Sequence, residues 1–307
     1  MALPSSPAID LTSGLLLAAL ALVWGGSFFF AEIALREMPP LTITLFRVAL
    51  ALPLLFLVVR MKGIAIPRCP KIWSAYLGMG ALNNAIPFSL IFWGQTQIES
   101  GLASILNGTT AIFGAVVAGL LLKDEPLTPQ KLVGAGLGFL GVAVIMGPAA
   151  LTSLDPRNLA QLAVLAAAFS YALASVWGKL FLGGQPPLMN ALGMVTGSTV
   201  LMLPLVLYID GVPRFELSID VWGALLGIAV LSTALAYLMY FEILRRAGSA
   251  NLMLVTLLIP PVAVALGAGF LGEQLGTEAF IGFVIIGLGL VVTDGRLPRL
   301  LLGKRSA

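Results

Sequence analysis

Ten long apolar stretches, cut apart by proline, glycine and charge, constrain this chain more than any other feature of its sequence. They run near Thr12–Leu35, Leu41–Arg60, Ile72–Trp93, Glu99–Leu122, Pro129–Gly147, Asn158–Phe181, Pro187–Tyr208, Asp220–Arg245, Ser249–Leu271 and Gly276–Asp294. Each is too long for a strand and close to the about 20 apolar residues that a helix needs to cross a bilayer. In lipid a backbone N–H or C=O must find its partner inside its own segment, so each stretch is expected to be a helix. Charge points the same way. Only 10% of the residues are charged, against about 25% in soluble domains, so the outer surface must face lipid, not water. The expected fold is an all-α integral membrane protein of ten transmembrane helices.

The same composition excludes several classes. The chain has no histidine and one cysteine, Cys69, so an internal disulfide and any Cys/His metal site are ruled out. No cofactor and no nucleic-acid partner is expected. Residues 1–11 lack the Lys or Arg of a cleavable signal, and the first apolar run is too long for one. Gly136, Gly138 and Gly141 fit G-x-G-x-x-G, but no strand precedes them and they lie inside an apolar run. Together with Gly134, and with Gly282, Gly287 and Gly289 in the tenth run, they read as sites of close helix packing.

The basic residues divide sharply. With the N-terminus inside, the inner loops and helix ends hold thirteen: Arg60, Lys62, Arg68, Lys71, Lys123, Lys131, Lys179, Arg245, Arg246, Arg296, Arg299, Lys304 and Arg305. The outer side holds three, Arg36, Arg157 and Arg214, and Arg47 lies within a span. The positive-inside rule therefore predicts cytoplasmic termini and an even number of spans.

The chain also resembles itself. A shift of 147 lays Pro39-Pro40-Leu41 on Pro186-Pro187-Leu188, and a shift of 149 lays Trp73, Leu77, Gly78, Phe92 and Ser100 on Trp222, Leu226, Gly227, Phe241 and Ser249. A shift of 148 lays Glu125, Leu127, Gly134 and Gly141 on Glu273, Leu275, Gly282 and Gly289. Residues 1–148 and 149–307 thus read as two five-helix units. Five is odd, so the second copy is expected to enter the membrane inverted, a pattern that places a binding site between the halves.

Each half resembles the EamA unit of the drug/metabolite transporter superfamily. The first half carries Trp24-Gly25-Gly26-Ser27-Phe28, Pro39, Phe46-Arg47 with Ala51, Asp124-Glu125-Pro126-Leu127-Thr128 and a glycine-rich fifth span. The second carries Ser170-Tyr171-Ala172, Ser232-Thr233-Ala234-Leu235-Ala236-Tyr237, Pro260 and Leu271-Gly272-Glu273-Gln274-Leu275. In length and detail the chain is most similar to the YddG-type exporters of aromatic and other neutral amino acids. The resemblance implies a central cavity and export of a small-molecule substrate from the cytoplasm across a bacterial inner membrane.

Polar groups at membrane depth are costly and therefore informative. Trp24, Ser27, Asn83, Asn84, Phe88, Asn107, Tyr171, Thr233, Tyr237 and Thr256 fall near mid-depth and are read as a substrate-binding set. Amides, hydroxyls and rings suit an ammonium, a carboxylate and an apolar side chain. The plainer role for each is hydrogen bonding or packing between helices. Glu32, Arg47, Glu99, Lys179 and Glu242 are read as structural ion pairs or gates, with Arg47 as a carboxylate-binding arginine the sharper alternative. Lys179 and Glu242 share the inner face, and Glu125 and Glu273 are expected to cap helices or brace loops. Pro87, Pro260 and Pro261 are candidate hinges.

An intramembrane protease is disfavoured, because the chain has no histidine and no aspartate paired at depth. A solute carrier alternating between two openings, competent as a monomer, is the favoured reading. The other readings are proton antiport of other metabolites or cationic drugs, and a scaffold or sensor. No acid lies in the middle of the first span, so a weakly coupled or gradient-driven carrier is expected.

Overall fold

The computed structural model describes residues 10–123, 125–146, 156–252 and 254–294, and among them every regular element is a helix. Ten rods follow in order: α1 (Leu11–Ala34), α2 (Pro40–Met61), α3 (Pro70–Gly94), α4 (Ser100–Leu121), α5 (Pro129–Met146), α6 (Pro156–Leu182), α7 (Pro187–Ile209), α8 (Ile219–Leu226, Gly227–Leu235 and Ala236–Leu252 in succession), α9 (Val255–Leu271) and α10 (Thr277–Asp294). Eight are long and apolar enough to cross a bilayer, and α9 and α10 are shorter apolar helices. Leu22, Phe56, Leu57, Leu132, Phe139, Leu203 and Leu207 point outward, as a lipid-facing belt requires. The chain is an all-helical integral membrane protein of the expected class.

Prolines set many of the starts. Pro40, Pro70, Pro129, Pro156 and Pro187 each open a rod, where the missing N–H costs nothing and the fixed φ favours the helix. The rod ends lie within two residues of the sequence expectation, except between α8 and α9. There the expected break before Ser249 is absent: α8 runs to Leu252 and α9 starts at Val255. Arg245, the last residue of the expected eighth run, and Arg246, just beyond it, both bind Glu242. Ion pairs at these spacings brace one further helical turn instead of ending it. The expected unit boundary at 148/149 lies outside the described residues.

Three rods depart from α-helical winding. Residues Ala81–Ala85 in α3, Gly227–Leu235 in α8 and Gly267–Leu271 in α9 are wound as wider π turns, with hydrogen bonds reaching one residue further back. The turns in α3 and α8 overlap under the shift of 149. In α4 the winding tightens instead: Thr109 N–H donates to the Leu106 carbonyl at 3.1 Å, between the segments Ser100–Asn107 and Thr110–Leu121.

The packing recurs when the halves are exchanged. α1 lies against α8 and α9, and α6 lies against α3 and α4. α2 lies against α8 and α7 against α3, while α2–α7 and α5–α10 pair across the middle. The α5–α10 seam is made by backbone contact. A Cβ added at Gly134 would lie 2.6 Å from the Gly289 carbonyl, and one at Gly141 would lie 2.8 Å from that of Gly282. Gly136 faces open space.

On the face assigned to the outside, carboxylates of one half cap helices of the other. Asp210 accepts from Thr42 N–H (3.2 Å) and Oγ1 (2.7 Å) at the start of α2. Glu273 accepts from Ser100 and Gly101 N–H (2.9 and 3.1 Å) at the start of α4, and Glu37 accepts from Ser218 N–H (2.9 Å) ahead of α8. Hydrogen bonds from the Ser218 side chain and backbone hold the Glu37 carboxyl below the usual carboxylate range. Exposed N–H groups and the helix dipole make these positions favourable for negative charge. Glu125, the repeat counterpart of Glu273, instead pairs with Lys179.

If backbone contact holds the seam, Gly134→Ala or Gly141→Ala should destabilise the protein by about 1–3 kcal/mol through overpacking. Gly136→Ala should leave it unchanged. Thermal unfolding of the purified variants in detergent measures the difference.

Candidate functional site

Between the halves lies a cavity of about 390 Å³. Its wall runs from Gln95, at the end of α3, to Asn190, in the first turn of α7. α1 contributes Trp24, Ser27 and Phe28; α2 contributes Arg47; α3 contributes Met79, Asn83, Phe88, Ile91 and Phe92. α4 adds Ser104, Asn107, Gly108 and Thr110 around its tightened turn. Tyr171, Met194, Ser232, Tyr237, Tyr240, Phe241, Thr256 and Ile259 complete the opposite side.

Arg47 is the one charged residue among the described residues of this wall. It is 7% exposed and forms no ion pair with a carboxylate among the described residues. Its Nε donates to Thr233 Oγ1 (3.0 Å), one Nη to Ser27 Oγ (3.0 Å) and the other to the Ser232 carbonyl (3.4 Å). Its guanidinium carbon lies 3.7 Å from the Phe88 ring centroid, a stacking that stabilises a desolvated cation by about 2 kcal/mol. The π turn of α8 prepares this cradle: Thr233 Oγ1 donates to the carbonyl of Ile228, five residues back, at 2.9 Å, which turns its lone pairs toward Arg47. Ser232 Oγ donates to the Val23 carbonyl and ties α8 to α1. A guanidinium has five N–H donors, so three bonds leave two for a ligand.

The wall also holds unused acceptors. Oε1 of Gln95, Oδ1 of Asn107 and Oδ1 of Asn190 are buried without a hydrogen-bond partner. The Asn190 amide nitrogen donates to the Leu182 carbonyl (3.3 Å), and that of Gln95 to the Phe28 carbonyl (2.9 Å). Both amides are thereby fixed with oxygen on the other side. Around these groups the rings of Trp24 and Tyr240 meet at 5.9 Å, and those of Phe88 and Tyr171 meet edge-on at 6.4 Å. The cavity therefore offers donors at one place, acceptors at others and aromatic surface between them.

Eight of the ten residues read as a substrate set line the wall: Trp24, Ser27, Asn83, Phe88, Asn107, Tyr171, Tyr237 and Thr256. Asn84 and Thr233 stand behind it. Asn84 is fully buried and donates to Ser198 Oγ (3.0 Å), while its Oδ1 accepts from Tyr237 OH (3.2 Å) and Asn83 (3.3 Å). Thr233 orients Arg47 and does not face the cavity.

The expected ion pairs form differently. Glu32 is bound by the Gln95 amide (3.3 Å) and not by Arg47. The Arg47 side chain folds onto Ser27, Thr233 and Phe88, so Glu32 and Glu99 do not meet it. Glu99 pairs with Arg157 at 3.3 Å. Lys179 reaches Glu125 (2.7 Å) and not Glu242, which its own helix neighbours Arg245 and Arg246 already neutralise.

Of the prolines, Pro87 stands two residues past the π turn of α3, and Pro260 and Pro261 lie within the continuous segment Val255–Leu266. α1 crosses that segment closely: a Cβ on Gly25 would lie 2.7 Å from Val262 and 3.0 Å from the Ile259 carbonyl. Gln95, Asn190 and Met194 were not read as site residues. Both Gln95 and Asn190 sit at rod ends, where polar residues are ordinary. Seven residues from Phe88 on the same helix face is the spacing that would have exposed Gln95.

The comparisons with known proteins agree in kind. The model of the EamA-like transporter family matches residues 12–147 and again 158–293. A protein of Salmonella typhimurium described as a probable amino-acid metabolite efflux pump is 29% identical, over 91% of this chain and 93% of its own. The Escherichia coli protein of the same description is 28% identical over the same shares. The uncharacterised transporter YoaV of Bacillus subtilis is 26% identical over 92% of this chain and 96% of its own. A solved crystal structure superposes with a TM-score of 0.67 over 94% of this chain and 98% of its own; at 18% identity it shows the shared fold alone.

The two asparagines should respond differently to substitution. Asn84→Ala removes buried bonds between α3, α7 and α8 and should destabilise the protein by about 1–2 kcal/mol. Asn107→Ala removes an unused acceptor and should leave stability within about 0.5 kcal/mol while weakening substrate binding. Thermal unfolding beside a transport assay separates the two.

Proposed function

We propose a function that starts from one fact: the chain belongs to the EamA-like transporter family. It is a multi-pass membrane carrier of small solutes, not an enzyme. Within that class we assign it the export of neutral amino acids, including aromatic ones, from the cytoplasm of a bacterial cell. Both termini lie inside, the second five-helix unit is inverted, and the cavity opens alternately to the two sides. One chain supplies both units, so it works as a monomer.

One observation carries the substrate class: a buried arginine with spare donors faces the cavity, and among the described residues no carboxylate stands in the wall to neutralise it. A permanently charged guanidinium in a low-dielectric cavity favours an anionic group, and its fork matches a carboxylate. A lipophilic cation would meet like charge there. The unpaired amide oxygens of Gln95, Asn107 and Asn190 are the acceptors an ammonium could use, and Trp24, Phe88, Tyr171 and Tyr240 accept an apolar side chain. The two described efflux pumps of Salmonella typhimurium and Escherichia coli support amino acids or their metabolites. Among the described residues no acid stands in the wall to carry a proton, so substrate leaves down its own gradient.

Purified protein in liposomes should exchange radiolabelled alanine, threonine, methionine, phenylalanine and tryptophan saturably without an imposed pH gradient. Arg47→Met, assayed per folded and inserted molecule, should lose about a hundredfold or more in transport, the size expected for a charged hydrogen-bond pair. Flux that scales strictly with a pH gradient would establish proton antiport. Retained exchange by Arg47→Met would overturn the assignment of the carboxylate site.

A further inference from the structure

At the outer end of the cavity a second charged group stands behind an amide. The Gln95 side-chain nitrogen donates to the Phe28 carbonyl (2.9 Å) and to Glu32 Oε2 (3.3 Å). Two acceptors on one side leave no doubt which end of the amide is NH2. Gln95 Oε1 must then face the other way, and Gln95, 3% exposed, lines the cavity with that oxygen buried and unpartnered. Glu32 is half-buried and pairs with no Lys or Arg among the described residues.

The spacing to Arg47 follows from the chain itself. Arg47 binds the side chain of Ser27, and Gln95 binds the backbone carbonyl of the next residue, Phe28. Consecutive Cα atoms are about 3.8 Å apart, so neighbouring residues of α1 anchor the guanidinium and the Gln95 amide, and both residues line the same cavity. Phe88 and Phe92 line the same cavity from α3, with the guanidinium carbon 3.7 Å from the first ring centroid and 6.0 Å from the second.

We propose that Gln95 and Glu32 form the cation pole of the site: Gln95 Oε1 accepts the ligand's ammonium, and Glu32 behind it supplies the balancing charge through the amide. The ligand class is an α-amino acid, carrying carboxylate and ammonium on one carbon, in preference to the same molecule without its ammonium. The assignment rests on the reading that Arg47 takes the carboxylate. Gln95 and Glu32 are then specificity-determining: they reject carboxylic acids that Arg47 alone would accept. An ammonium–carbonyl bond with a supporting charge corresponds to about tenfold to a hundredfold in affinity.

The test is calorimetric titration of the purified full chain in detergent with leucine, isocaproate (leucine without its ammonium) and isoamylamine (leucine without its carboxylate). The wild type should bind leucine about tenfold or more tighter than either analogue. Gln95→Leu should lose that advantage over isocaproate, with isocaproate affinity changed by less than about threefold. Glu32→Gln keeps the hydrogen bond and removes the charge, so it should reduce the advantage about three- to tenfold; this variant decides alone if Gln95→Leu fails to fold. Equal losses for leucine and isocaproate, or no change in their ratio, would overturn the cation pole. Leucine binding retained by Arg47→Met, or absent from the wild type, would instead overturn the parent reading.

Discussion

A guanidinium held inside a membrane bundle, with no carboxylate beside it among the described residues, is the interaction around which this molecule is arranged. Placing an arginine at mid-membrane costs at least about 2.5–3.5 kcal/mol, and Arg47 recovers that cost from four places at once. It uses a hydroxyl of α1, a hydroxyl and a carbonyl of α8, and the face of a ring on α3. Three helices from both halves therefore converge on one side chain. The π turn of α8 belongs to the same arrangement, because it directs Thr233 Oγ1 to a carbonyl five residues back and leaves its lone pairs for the arginine.

The surrounding helices reach these positions by close backbone approach. Glycines at the α5–α10 seam, at Gly25 against α9 and at Gly80 and Gly197 between α3 and α7 leave no room for a Cβ. Between lipid-exposed helices there is little hydrophobic driving force, so contact area and buried hydrogen bonds do the joining. Asn84, Ser198 and Tyr237 are such bonds, and they fix the wall they stand behind.

Much of this was legible in the sequence, for physical reasons. Ten rods follow from segment length and the need to satisfy backbone groups in lipid. Repeat shifts brought out the paired motifs, and the cost of polarity at depth singled out Trp24, Asn107 and Arg47. The rest was hidden where periodicity carries no signal. A π turn changes no residue type, so Thr233 looked like wall when it is a brace. Charges at rod ends have several partners within reach, and the choice of Glu125 over Glu242 by Lys179 depends on how the halves dock. Gln95 and Asn190 sit where the apolar pattern ends, and polarity there is ordinary; only the fold shows that these ends turn into the cavity.

The two halves share a fold but not a charge pattern. Under the same shifts that superpose their motifs, Arg47 meets Met194, Gln95 meets Leu244 and Glu32 meets Lys179, which lies at the protein surface on Glu125. Met194 even occupies its counterpart's place structurally, its sulfur facing the Asn83 amide at the π turn of α3 as Arg47 faces that of α8. A near-dyad scaffold with matching chemistry would hold a ligand equally well in two opposed directions. In the proposed site the field is polar, with its positive end at Arg47 and its negative end at Glu32, both in the first half. A neutral apolar molecule would feel little of that polarity, whereas a dipolar one would be turned by it, head toward one pole and tail toward the other.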